Sequence, residues 1–166
     1  FLLERRLSGD LSAAALAKLV GVTIAEAGHT IEVTDEMVAA VEMFASVAGD
    51  LLLGAQTWVE QRVSLARLWG DDAPPVDLFG TADFVAANRA TGRLTCIDFK
   101  YGRGVGVEVR DNPQLLYYAL GALLDLGLDN DLDPDAEVSI TVVQPRAPHP
   151  EGPVRTAVYS VLDLSL

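Results

Sequence analysis

The stretch Gly80-Thr81-Ala82-Asp83-Phe84-Val85-Ala86-Ala87-Asn88-Arg89-Ala90-Thr91-Gly92-Arg93-Leu94-Thr95-Cys96-Ile97-Asp98-Phe99-Lys100 decides the fold. Leu78 to Ala87 and Leu94 to Lys100 are runs rich in apolar and β-branched residues, as strands require. Asn88 to Arg93 supplies the turn residues of a slightly long hairpin connection. The spacing therefore predicts two antiparallel strands. A hairpin centred between Ala90 and Thr91 pairs Ala87 with Leu94 and, further along the ladder, Asp83 with Asp98. Side chains two apart share a face of a strand, so Asp98 and Lys100 point one way while Ile97 and Phe99 point into the opposite layer.

Working outward, Ala55 to Leu68 is rich in β-branched and aromatic residues and reads as a preceding strand, followed by a loop at Gly70-Asp71-Asp72-Ala73-Pro74-Pro75. Upstream, residues 11–20 carry good helix formers. Thr34 can cap a second helix in which Met37, Val41, Phe44, Ala48 and Leu51 recur at helical spacing. Downstream, Asn112-Pro113 opens an apolar helix to about Leu126, a capping residue followed by proline at the first helical position. Asp129 to Asp135 reads as a solvated acidic loop, and Val138 to Val143 and Val154 to Leu162 as two closing strands. This order predicts an α/β fold with a mixed central sheet flanked by helices. Residues 1–54 form an N-terminal helical segment and 55–166 the core, within one compact domain overall.

A chain of 166 residues fits one ordinary domain, and 50% hydrophobic with 22% charged residues is a globular composition. No apolar run reaches the roughly 18 residues of a membrane span, so a soluble protein with no membrane partner is expected. Cys96 is the only cysteine, which rules out an internal disulfide and a four-cysteine zinc or iron-sulfur site within the chain and favours the cytoplasm. The start, Phe1-Leu2-Leu3-Glu4, has neither an initiator Met nor a cleavage site and reads as a chain missing its true beginning. A net charge of -12 has the wrong sign for a protein that holds DNA by neutralising phosphates, so any DNA contact needs a local basic groove or a partner protein.

Two aspartates facing each other at ~5 Å repel, and a partly buried pair shares a proton or binds a cation. Hard divalent cations such as Mg²⁺ take oxygen ligands, often one or two carboxylates with water and phosphate. Lys100 on the same face could stabilise an attacking hydroxide or the charge developing on a phosphate. The competing reading is a solvated strand face on which Asp98 and Lys100 form an ion pair worth ~0 to 1 kcal/mol. A two-carboxylate glycoside hydrolase is less attractive with Lys100 alongside. Glu60, in the first strand, reads as a structural or supporting residue more readily than as a ligand. Trp58 and Trp69 are candidates for stacking on bases, but packing is their commoner fate. Tyr101 to Gly106 lacks phosphate-loop spacing and reads as a flexible loop that offers Arg103 to a DNA phosphate.

Gly80-Thr81-Ala82-Asp83, Ile97-Asp98-Phe99-Lys100-Tyr101-Gly102 and Asp111-Asn112-Pro113-Gln114-Leu115-Leu116-Tyr117-Tyr118 together resemble the ordered motifs of PD-(D/E)XK nucleases of the RecB type. The likeness is greatest to a phage and prophage branch of uncharacterised nucleases, and it covers roughly residues 55–145. It implies a restriction-endonuclease-like αβββαβ core and a Mg²⁺- or Mn²⁺-dependent DNA nuclease without an iron-sulfur cluster. An exonuclease in phage or mobile-element replication or recombination, with a possible protein partner from that machinery, is the implied role. Asp83 and Asp98 would bind the metal, with the Phe99 carbonyl as a possible further ligand, and Lys100 would be catalytic. Gln114 and Tyr118 match a Gln-x-x-x-Tyr motif and would act at the site and contact DNA; four residues apart, they lie on one helix face near its N-terminal end. The sequence departs from the pattern upstream, where members carry a His or Glu on an N-terminal helix. Glu4 is a candidate for that acid, and His29, beside Gly28, reads as an exposed loop residue. A nuclease-fold module that acts by binding a protein partner is the alternative.

Overall fold

The computed structural model describes residues 2–26, 28–51, 53–72 and 79–165. The chain divides into two compact units, Phe1–Asp50 and Leu51–Leu166. Among the described residues no helix is long and apolar enough to cross a membrane.

The first unit holds helices α1 (Leu2–Leu7), α2 (Ala13–Ala17) and α3 (Asp35–Gly49), with a hairpin of β1 (Thr23–Glu26) and β2 (His29–Glu32) between α2 and α3. Thr34 caps α3 as expected, its side chain accepting from the Met37 N–H. Leu2, Leu11, Leu16, Val33 and Val41 form this unit's core, and Arg6 makes a two-pronged pair with Glu42, 2.7 Å at its shorter contact. Two expectations need correction. The segment is not wholly helical, because the β-branched residues around Gly28 make a hairpin, and His29 lies in its second strand rather than in a loop. Its side chain is exposed, as anticipated. The helix expected over 11–20 is confined to Ala13–Ala17, capped by Ser12.

The second unit is a five-stranded mixed sheet in the order β3-β4-β5-β6-β7, comprising β3 (Gln56–Ser64), β4 (Phe79–Asn88), β5 (Arg93–Phe99), β6 (Glu137–Val143) and β7 (Val154–Ser160). All neighbours are antiparallel except β5 and β6, which run parallel. A parallel pair needs a crossover, and helix α4 (Pro113–Asp125) provides it. With α3 in front, the chain order is the expected αβββαβ, and β7 and the short α5 (Val161–Ser165) close the unit.

Helix α4 packs on the sheet through Leu115, Ala119, Ala122 and Leu123, which join Val63, Val85, Leu94, Cys96, Val138 and Ile140 in one core. Gly121 permits the close approach, because a Cβ there would sit 2.9 Å from that of Val63. Asn112 caps α4, accepting from the Gln114 and Leu115 N–H groups, and Pro113 begins it. Three stretches differ from expectation, two of them strand ends. After Ser64 the chain turns into a 3-10 turn at Ala66–Leu68. The last strand stops at Ser160, where Ser160 and Asp163 bond each other's backbone N–H and start α5. The acidic segment 129–135 is not simply solvated: Leu132 is buried, and Asp129 and Asp131 hold Arg67 and Arg89. The expected loop residues Ala73 to Pro75, and Leu78 at the head of the predicted strand, lie outside the described residues.

Candidate metal and phosphate site

The hairpin ladder runs from Asn88↔Arg93 and Ala87↔Leu94 to Phe84↔Ile97, the predicted register. Asn88 fixes the turn, its side-chain oxygen accepting from the Ala90 and Thr91 N–H groups, and Gly92 takes the positive φ of 64°. The ladder ends there, one short of the expected Asp83–Asp98 rung; beyond it the Asp83 side chain takes over, its Oδ2 accepting from the Phe99 N–H at 2.6 Å, which holds it next to the residue that follows Asp98. Burial pushes the Asp83 carboxyl up to about 6; the Phe99 N–H opposes this, the charges of Asp98 and Glu60 add to it, and Lys100 lowers it.

Asp98 is 4% exposed. Lys100 Nζ lies 3.0 Å from Oδ1, a hydrogen bond, and 2.9 Å from Oδ2. The second contact is within range of charge attraction but off the line that a hydrogen bond needs, so Oδ2 is a buried oxygen with no hydrogen bond. It is an acceptor with lone pairs to give. Two carboxylates on adjoining strands, one with such an oxygen, are donors suited to a hard divalent cation that completes its shell with water and phosphate. Among the described residues no three His, Cys, Asp or Glu side chains form a metal cluster by themselves.

Glu60 contributes in a way that its sequence position did not reveal. Val59↔Phe84 and Gln61↔Ala82 flank it without a slip, which sets Glu60 across from Asp83, yet that rung is missing from the ladder. Glu60 has φ 51°, left-handed backbone in mid-strand. Ala82 and Val85, three residues apart, both join the core under α4, so the alternation of faces breaks at Asp83. Backbone in this region costs of order 1–3 kcal/mol and gathers at functional sites.

Helix α4 brings the second group. Gln114 Nε2 donates to Tyr118 Oη at 2.8 Å, so both side chains share a face as predicted. The Tyr118 ring lies against Gly80, where a Cβ would come within 2.5 Å of Cε1. Tyr118 thereby touches the strand that carries Asp83, three residues ahead of it.

The segment from Lys100 to Asn112 links the two groups. Its Gly-rich part is without regular structure and carries Arg103 at the surface. The rest is pinned. Arg155, 2% exposed, donates to the Val107 carbonyl, to Gly152 and to Gln144 Oε1, which in turn accepts from the Val107 N–H. Gln144 Nε2 donates to the Val105 carbonyl, and the Asp111 N–H to Tyr159 Oη. Gln144 and Arg155 escaped the sequence reading because their partners are backbone groups of a loop, which leave no spacing pattern.

Other residues fall where expected or nearby. Trp58 packs against the core, whereas Trp69 is 41% exposed. Cys96 is buried in β5, and desolvation pushes its thiol up to about 12.

The model of one protein family matches residues 4–164. The chain belongs to the DUF2800 family, described as a protein of unknown function. This DUF2800 chain is also similar to the solved structure titled "Crystal structure of SSO0001", at 10% identity over 77% of the chain, with a TM-score of 0.32. It spans 55% of that protein's length, a likeness too distant to bear on fold or function.

Proposed function

We propose that this DUF2800 protein is a divalent-metal-dependent deoxyribonuclease of the PD-(D/E)XK type. In this reading it acts as an exonuclease in the cytoplasm, in phage or mobile-element replication or recombination. The observation that carries the reading is the Asp83 carboxylate bonded to the Phe99 N–H, between Asp98 and Lys100 in the chain, with Lys100 paired to the buried Asp98 carboxylate. Asp83 and Asp98 would hold Mg²⁺ or Mn²⁺, and the metal, when bound, would supply an activated water and neutralise phosphate charge. Lys100 would place its ammonium on the phosphate or attacking oxygen. Gln114, Tyr118 and Arg103 would hold the DNA backbone at the mouth of the site.

The experiment is degradation of linear DNA with Mg²⁺ or Mn²⁺, using the wild type, Asp98→Ala and Lys100→Ala. Each variant should lose roughly a hundredfold or more. Full activity in both would remove the mechanism. A second reading, a nuclease-fold module that works through a protein partner, is favoured by the net charge of -12 and by Lys100 already holding both Asp98 oxygens. Absence of Mn²⁺ uptake together with a stoichiometric, stable partner complex would put that reading first.

A further inference from the structure

Lys100 does more than lie near Asp98. Its ammonium lies 3.0 and 2.9 Å from the two carboxylate oxygens, the position that a cation held by both oxygens of Asp98 would take. The neighbouring acid gives no easy substitute, because one Asp83 oxygen is engaged by the Phe99 N–H. Two cations on one carboxylate in a partly buried site repel strongly. We propose that Lys100 is the resident cation of this site and must leave Asp98 before a divalent ion is held there, so that it weakens metal binding. The inference rests on the deoxyribonuclease reading for the kind of ion, and it adds the order of events.

The backbone allows this exchange without unfolding. The Lys100 N–H is fixed to the Val143 carbonyl at 2.9 Å, just beyond the end of β5, so the main chain stays while the side chain swings. The Lys100 side chain is 28% exposed against 6% for that of Asp98, so the ammonium has the wider route to water. Once released, the ammonium is free to pair with an anion. Lys100 thus moves from a carboxylate to a phosphate, and its charge stays within the site throughout.

The sequence makes the test clean, because its only lysines are Lys18 and Lys100. Lys18 is exposed and lies in the other unit, so it serves as an internal reference. The full chain is acetylated with an N-hydroxysuccinimide ester, with and without saturating Mn²⁺ at matched ionic strength, and both sites are read by mass spectrometry. Labelling of Lys100 relative to Lys18 should rise several-fold with Mn²⁺. In Asp98→Asn it should be high from the start and indifferent to Mn²⁺.

Calorimetric Mn²⁺ titration supplies the second arm, with Lys100→Met and with Lys100→Gln, which keeps an N–H donor for Asp98 if the Met variant does not fold. Both should bind Mn²⁺ more tightly than the wild type, on the order of tenfold. Equal or weaker binding in the folded variants, or Lys100 labelling unmoved by saturating Mn²⁺, overturns the inference. If the wild type binds Mn²⁺ through Asp98 yet the Lys100 variants match it, only the exchange falls. If the wild type takes up no Mn²⁺ at all, the deoxyribonuclease reading falls and takes the exchange with it.

Discussion

Asp83 ties folding and protons and, on the proposed function, cation binding to one carboxyl. Its folded value of about 6 lies above the ~3.9 of an unfolded chain. A group that holds its proton more tightly when folded adds stability below the unfolded value and loses it as pH rises through the folded one. The Asp83 contribution should therefore decline between about pH 4 and 6. Asp83→Asn, which keeps an oxygen for the Phe99 N–H, should unfold at higher denaturant at pH 8, by about 2 kcal/mol, and match the wild type at pH 4. An unchanged difference across that range would show that Asp83 does not titrate there. Cation binding should run the opposite way and weaken as pH falls below 6, because the proton and the ion compete for the same oxygens. Glu60 gives a separate check on the backbone. Glu60→Gly, free to adopt φ 51°, should stay within about 0.5 kcal/mol of the wild type, whereas Glu60→Val should lose on the order of 2 kcal/mol. Equal stability in chemical denaturation would mean that the left-handed turn carries no strain.

At the scale of elements, α4 positions Gln114 and Tyr118, and two contacts control it. Asn112→Ala should cost about 1 kcal/mol through lost capping. Gly80→Ala should push the Tyr118 ring off β4 and, on the proposed function, lower DNA turnover more than it lowers thermal stability. Retention of full turnover would separate Tyr118 from the reaction. The hairpin and α4 were legible because their punctuation is local: Asn88 bonds the turn beyond it, and Asn112-Pro113 starts a helix whichever sheet it meets. Where a signal was spread out or overridden, the sequence misled. β2 escaped because all four of its residues are exposed, so no apolar alternation marks it. The β-branched run after Val154 concealed the start of α5, although Ser160 with Asp163 three residues on is the pattern of a capping box. The left-handed Glu60 leaves no trace in composition, since glutamate is not a residue that such a turn selects.

The whole molecule carries a net charge of -12, and among the proposed DNA contacts the cations are Lys100 and Arg103. Neutralising no more than about two phosphates limits the slope of log affinity against log salt to roughly -2. A much steeper slope in a salt titration would place the DNA on another surface. The central claim remains that Asp83 and Asp98 share one divalent ion. Crystals of the protein soaked in Mn²⁺ test it most directly: an anomalous peak between the two carboxylates, with Lys100 turned away from Asp98, is the predicted result. A peak elsewhere, or Lys100 still spanning both Asp98 oxygens at saturating Mn²⁺, would contradict it.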